Sequence, residues 1–314
     1  MISSFPDAHR AKYLCISPKG NFIMSERKKE SRASGIIIML LSAVCFSTSG
    51  IFFKFIPWGP LAINGARSLI GAVVIGLYLI VSKHKLRAGK QIFFGASCMF
   101  MTSVLFSFAN KMTSAANAIV LQFTMPVFVI IFMALIYKKK PYPSDIIACI
   151  GMIAGIVCFF IDGLSAGGMA GNLLALASGC TYAGVFMMNM AKNSDSVSSV
   201  FWGMLMSAAV GMPFLPAETD FSPSVIAAVL AMGFIEIGMS YLLLAIGIKH
   251  TAPLAASLIS GIEPILNPVL VAIFFHEMLS PVAFAGAALV VVTLIVYNGA
   301  QAHMTASAKK HIAE

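Results

Sequence analysis

Apolar residues along this chain gather in long blocks, with polar positions confined to short breaks between them. Ten blocks stand out, near 34–54, 59–82, 91–110, 112–136, 144–162, 170–191, 197–215, 223–248, 251–275 and 281–300. Each is close to the roughly 20 residues that a helix needs to cross hydrocarbon. The breaks are short and polar, as in "SKHKLRAGK" (82–90), "KKKPYPSD" (138–145), "KNSDS" (192–196) and "PAETDFSP" (216–223). None is long enough to hold a soluble domain. The pattern predicts an all-α polytopic membrane protein with ten transmembrane helices.

Composition agrees with that reading. The chain is 59% hydrophobic and 11% charged, with a mean hydropathy of +0.91, whereas a soluble domain carries about 25% charged residues. So little polar surface fits a protein whose outside faces lipid. The net charge of +9 does not indicate nucleic acid, because the basic residues cluster between the apolar blocks. With a cytoplasmic N-terminus, 18 of the 21 Lys and Arg fall on cytoplasmic segments. Only Lys54 and Lys111 fall outside, and Arg67 lies within a block. The positive-inside rule then places both termini in the cytoplasm, in a bacterial-type inner cell membrane. Residues 1–33 read as a basic tail and 301–314 as a second one. Residues 1–23 look unlike the rest, and a start at Met24, with 1–23 an over-extended reading frame, is the alternative. No cleavable signal peptide is visible.

Cofactor and enzyme signatures are missing from the sequence. Five of the six cysteines fall inside the apolar blocks without C-x-x-C spacing, and the six histidines are scattered over tails and breaks, so neither a disulfide framework nor a metal cluster is expected. No H-E-x-x-H, G-x-S-x-G or Walker sequence occurs. The expectation is a protein that is not an enzyme and has no cofactor or metal.

Sliding the chain by 138 residues lays "KMTSAANAIVLQFTMPVFVIIFMALIYKKKPYP" (111–143) without gaps on "KHTAPLAASLISGIEPILNPVLVAIFFHEMLSP" (249–281). Lys111, Thr113, Ala118, Pro126, Ala134 and Pro143 meet identical residues, and most other positions pair apolar with apolar. The match joins the fourth block to the ninth, so five spans are repeated: 34–162 and 170–300. An odd number of spans per repeat makes the second copy cross in the opposite sense, giving two inverted five-helix repeats. Transporters built this way hold substrate at the repeat interface near the midplane.

These features, with "INGARSLIGAVV" (63–74), the "A…PVF" pattern of the fourth block and the run "EPILNPVLVAIFFHEMLSPVAFAGAALV", resemble the drug/metabolite transporter superfamily, specifically the EamA type. The likeness covers residues 35–300. It implies export of amino acids or other small metabolites. One departure is plain: the first repeat has "KKKPYP", with Lys139, where the second has "HEMLSP", with Glu277.

Polar residues within the apolar blocks supply the candidate site. On one continuous helix Ser257, Ser260, Glu263 and Asn267 would form a single stripe, with Pro264 and Pro268 each freeing a backbone carbonyl. Gln122 and Pro126 are the equivalents of Ser260 and Pro264 in the first repeat, where Met125 takes the place of Glu263. Glu236, Ser240 and Tyr241 share the eighth block, and Asn64 and Arg67 share a face of the second. A charge in hydrocarbon costs roughly 2.5–3.5 kcal/mol, which marks it as functional. Tyr182, Trp202 and Tyr241 are the aromatic residues expected at the cavity. Glu277, beside His276, is read as structural.

The sequence therefore predicts a secondary active transporter of a small polar metabolite or amino acid, working by alternating access and driven by a proton or substrate gradient. Its partners are the solute, the lipid bilayer, a proton as coupling ion and a second copy in a homodimer; nucleic acid is not among them. The competing readings are an intramembrane enzyme and a passive channel or receptor.

Overall fold

A computed structural model describes residues 24–313 apart from 114, 162–163, 165–167 and 276–279. The N-terminal stretch 1–23 and the pair His276 and Glu277 lie outside the described residues. Every regular element among the described residues is helical. The first block forms α1 (Met24–Ser47) and α2 (Ser49–Phe55), and the next two form α3 (Pro60–Val81) and α4 (Lys90–Met112). The fourth is split into α5 (Ala115–Gln122) and α6 (Met125–Tyr137); α7 (Pro143–Phe160) and α8 (Met169–Phe186) follow. Next come α9 (Ser196–Gly211), with a 3-10 stretch Met212–Ala217, and α10 (Pro223–Ala231), a π-helical stretch Met232–Met239 and α11 (Ser240–Gly247). The ninth block is α12 (Pro253–Ser260) and α13 (Glu263–Phe275), and the chain closes with α14 (Pro281–Ala313).

Proline starts many of these helices. Pro60, Pro126, Pro143, Pro223 and Pro253 occupy the first or second position of α3, α6, α7, α10 and α12, where a missing N–H is lost from an orphan donor at no cost. Eight helical stretches are long and apolar enough to cross a membrane, and Ser34–Ser47 is a shorter apolar one. Their outward residues are apolar too, including Leu77, Ile80, Phe94, Leu135, Ile147 and Ile295. In water such a surface would be an aggregation liability; against lipid tails it is solvated. The protein is a multi-pass membrane protein. One boundary differs from the sequence reading: α14 runs past residue 300 to Ala313. The polar "QAHMTASAKKHIA" holds Gln, Met, Lys and four Ala, all good helix formers, so the helix outlasts its apolar stretch.

The breaks gather at two ends. At one, His84 Nε2 lies 2.9 Å from Asp195 Oδ2 and Lys249 Nζ lies 3.5 Å from Asp195 Oδ1. There the Arg87 N–H donates to Ser198 Oγ, and Gly35 packs against His250 and Thr251. At the other, Trp58 Nε1 donates to the Asp220 carbonyl and the Gly59 N–H to Glu218 Oε1, while Thr113 donates to Asn172. Between the ends α4 packs on α8 and α9, α1 on α11, α12 and α13, α3 on α9 and the π stretch, α5 on α8, α6 on α12, and α7 on α14. Gly65 of α3 lies against Gly211 of α9, and Gly155 of α7 against Gly286 of α14, so closely that a Cβ on Gly211 or Gly286 would overlap the facing backbone.

Candidate functional site

The two split helices repeat each other residue for residue. Adding 138 to the bounds of α5 gives those of α12, and adding it to α6 gives α13. Hydrogen bonds at the breaks repeat as well. The Thr124 N–H donates to Leu121 O and Val127 to Thr124 O; at the second break Ile262 donates to Ile259 O and Ile265 to Ile262 O. Pro126 and Pro264 are therefore second residues of new helices, placed where proline is harmless, instead of kinks within one. This corrects the expectation of a continuous ninth helix with a single polar stripe. Ser257 and Ser260 belong to α12, Glu263 and Asn267 to α13, and Pro268 lies inside α13. Ser257 donates to its own helix at Leu254 O. Asn267 Nδ2 donates 2.7 Å to Ser49 Oγ, and no hydrogen bond among the described residues joins Ser260 or Asn267 to the Glu263 side chain.

A third break faces the second. Between α1 and α2 the chain turns at Thr48, and Ser47 Oγ reaches 3.4 Å to the Glu263 carbonyl. Together with the Asn267 to Ser49 bond, it ties the interruption of the first block to that of the ninth. Backbone groups freed by a helix end need partners where no water is present, and these hydroxyls and the amide supply some of them. The sequence reading missed this break. Its signal was present: "CFSTSG" (45–50) places three hydroxyls and a glycine inside an apolar block.

Arg67 and Glu236 form a buried ion pair. Arg67 Nη1 lies 3.1 and 3.2 Å from the two Glu236 oxygens, with the side chains 11% and 7% exposed. Arg67 Nη2 donates 3.3 Å to Asn64 Oδ1, which also accepts from Ser103 Oγ at 2.6 Å. Local sequence explains how the pair forms. Gly233 and Gly238 are five residues apart, the spacing that shares a face on a π-helix, and they rest on Ile70 and Val74 of α3. Two missing side chains let the π stretch settle directly on α3, which brings Glu236 level with Arg67. Ser240 Oγ donates to the Glu236 carbonyl, and Ser42 of α1 donates 2.8 Å to the Ser240 carbonyl. Ser240 is thereby occupied within the backbone. The π stretch and Ser103 were not foreseen, although the glycine spacing in "GFIEIG" carried the signal for the former.

Glu263 is the other buried carboxylate. Its Oε2 is wholly buried and has no hydrogen-bond partner among the described residues. It lies within electrostatic reach of Glu236, Tyr182 and Tyr241. Both tyrosines are buried, 5% and 8% exposed. Phe46 meets Tyr241 edge to face at 4.8 Å, and Phe123 and Phe186 surround Tyr182 at 6.4 and 5.0 Å. The result is an aromatic chamber with a carboxyl group at its wall and an ion pair nearby.

The structure thus brings together Arg67, Glu236, Glu263, Tyr182 and Tyr241. Gln122 is buried and its Nε2 donates 3.2 Å to Ser178 Oγ, one turn from Tyr182. Ser260 is buried in α12. Trp202 is not at the chamber: it stacks on Phe93 and donates to the Arg87 carbonyl at the end of the molecule that holds Asp195. An indole with one polar edge belongs at a membrane interface, which is where that contact puts it.

The profile of the EamA-like transporter family matches twice, over residues 33–161 and 169–299. The chain is 29% identical over 277 residues to a Bacillus subtilis (strain 168) protein described as an uncharacterized transporter, YwfM, covering 84% of this chain and 93% of that one. It is 24% identical over 291 residues to a second from the same organism, the uncharacterized transporter YcbK, covering 83% and 91%. A solved crystal structure shares the fold, with a TM-score of 0.74 at 19% identity over 85% of this chain and 97% of that one. Family and relatives are transporters and not enzymes. With two matches that together span most of its length, this chain belongs to the EamA-like transporter family.

Proposed function

We propose that the protein is a secondary active transporter that moves a small polar metabolite or amino acid out of the cell by alternating access, driven by a proton or substrate gradient. Ten spans in two inverted repeats, 34–162 and 170–300, cross the inner cell membrane with both termini in the cytoplasm. The polar chamber around Glu263 is the solute site, and Arg67 and Glu236 hold the two halves in register there.

The arrangement of contacts supports the inverted repeat. Exchanging each block for the one five places on converts the packing of α4 on α8 into that of α11 on α1, and that of α4 on α9 into that of the π stretch on α3. The pairs α3 with α9, α7 with α14 and α6 with α12 are each exchanged into themselves. Helix α5 starts at the end that holds Asn172, while α12 starts at the end that holds Asp195. Lysines 83, 85, 138, 192 and 249 fall in breaks assigned to the cytoplasm, which supports the orientation.

One observation carries the mechanism: a wholly buried carboxylate oxygen without a partner, located where a helix is broken and restarted. Interrupted helices at membrane depth are the recurrent setting for solute and ion sites in carriers. A partnerless carboxylate in such a place is stable when a proton or a solute group covers its charge, so loading and unloading Glu263 can be coupled to the rocking of the halves. Counterflow in proteoliposomes tests this. Vesicles preloaded with excess unlabelled solute should accumulate labelled solute transiently; a channel or a receptor gives no overshoot.

A further inference from the structure

We infer that the solute taken by the Glu263 chamber carries a positive charge and no carboxylate, as an amine or other organic cation does. The inference rests on reading this chamber as the solute site and goes beyond it by naming the charge. The first argument is a count of charges. Arg67, Glu236 and Glu263 are the charged side chains brought together here, and they sum to one negative charge in excess. Arg67 is already committed. Its Nη1 lies between the two oxygens of Glu236 and its Nη2 faces Asn64. A solute carboxylate would have to displace Glu236 from that guanidinium and leave it bare in the hydrocarbon interior. Breaking such a buried pair costs about 3–5 kcal/mol, which no new contact at the chamber repays. Anions and zwitterions are disfavoured on this ground.

The second argument is independent and comes from the lining. Tyr182 and Tyr241 are more than nine-tenths buried, yet no hydrogen bond joins either phenol hydroxyl to a described residue. Buried hydroxyls normally find partners. Two that do not, within electrostatic reach of a carboxylate whose Oε2 is also unpartnered, leave three oxygen acceptors open in one place. Phe46, Phe123 and Phe186 contribute the surrounding rings. Ring faces attract cations, more strongly once water is excluded. Oxygen acceptors, aromatic faces and one uncompensated negative charge together form a receptor for an ammonium group.

Three ligands that share one phenyl-alkyl skeleton provide the test: phenethylamine, phenylalanine and 3-phenylpropionate, bearing a cation, a zwitterion and an anion. Calorimetric titration of the purified full-length protein in detergent should rank the amine at least tenfold tighter than the other two. Glu263→Gln should abolish that preference with an unchanged unfolding midpoint, and the ranking on the unsubstituted protein decides the matter if the variant does not fold. Equal affinity for the three, tighter binding of either carboxylate, no binding by any of them, or amine binding that Glu263→Gln leaves intact overturns the inference. Counterflow of phenylalanine without binding of the amine overturns the charge assignment and leaves the carrier reading standing. Amine binding that depends on Glu263 without amine counterflow upholds the charge assignment and overturns the carrier reading.

Discussion

Replacing Arg67 with methionine asks how much of the protein's stability depends on one ion pair. Arg67→Met keeps an unbranched apolar side chain against α3's neighbours and removes the guanidinium from Glu236. That carboxylate is 7% exposed and its nearest cationic atom is Arg67 Nη1 at 3.1 Å, so the variant leaves a charge without compensation. Removing one member of a buried pair costs about 3–5 kcal/mol. Insertion scales price a lone charge at the bilayer centre at roughly 2.5–3.5 kcal/mol, and both figures point to a loss near 3 kcal/mol. A loss of that size lowers the folded-to-unfolded ratio more than about a hundredfold. In the double variant Arg67→Met with Glu236→Met neither charge remains, and apolar replacement of a whole pair is close to neutral. The double variant should therefore be more stable than the single one by about 3 kcal/mol. Reversible unfolding by dodecyl sulfate in mixed micelles, read by circular dichroism, measures all three proteins. If the double variant is as unstable as Arg67→Met, or if Arg67→Met unfolds like the parent, the pair is not the clasp between α3 and the π stretch.

Other consequences are open to direct measurement. Burial opposes ionisation of Asp195, but hydrogen bonds from Ser198 and His84 and the charge of Lys249 outweigh it and hold the carboxyl below its ordinary value. A depressed carboxyl stabilises the fold at every pH above its unfolded value, about 3.9, and that contribution fades as pH falls through the lower folded value. Asp195→Asn keeps the helix cap, so it should unfold more easily than the parent at pH 7 and match it at the acid end of a titration. Reporter fusions after residues 88, 140 and 195 should report cytoplasm and those after 165 and 219 the outside; an outside signal at 140 would end the inverted-repeat account. A Cβ on Gly238 would come within 2.9 Å of the Val74 Cβ, so Gly238→Val should cost about 1–3 kcal/mol of stability through overpacking. An unaffected unfolding midpoint would mean that the π stretch does not depend on that close approach.

Much of this was legible in the sequence because the membrane imposes it. Hydrocarbon thickness sets block length, and charge sets orientation, so the blocks and the 138-residue offset could be read from composition and identity alone. Arg67, Glu236 and Glu263 announced themselves as charges where charge is expensive. Their mutual arrangement did not. Whether Glu236 meets Arg67 depends on a π stretch and on two glycines that pack against Ile70 and Val74, a matter of helix contact that no single-block periodicity contains. Placing Ser260 and Asn267 beside Glu263 failed for a related reason. A 3.6-residue period presumes an unbroken helix, and the turn at Gly261 and Ile262 resets the phase before Glu263. Proline was the cue at that point, but Pro264 acts as a helix starter and not as a kink.

The central claim is that Glu263 carries the charge chemistry of transport. Gradient-driven uptake into vesicles, normalised to folded protein, should be compared for the parent, Glu263→Gln and Glu263→Leu across roughly pH 5.5 to 8.5, the span in which buried acids and histidines titrate. Glutamine preserves shape and much of the hydrogen-bonding capacity while removing charge and titration. The account predicts that transport by Glu263→Gln collapses at every pH although the protein inserts and folds. Normal transport by that variant with an unchanged pH profile, combined with low yield for Glu263→Leu, would make Glu263 a structural carboxyl and contradict the account.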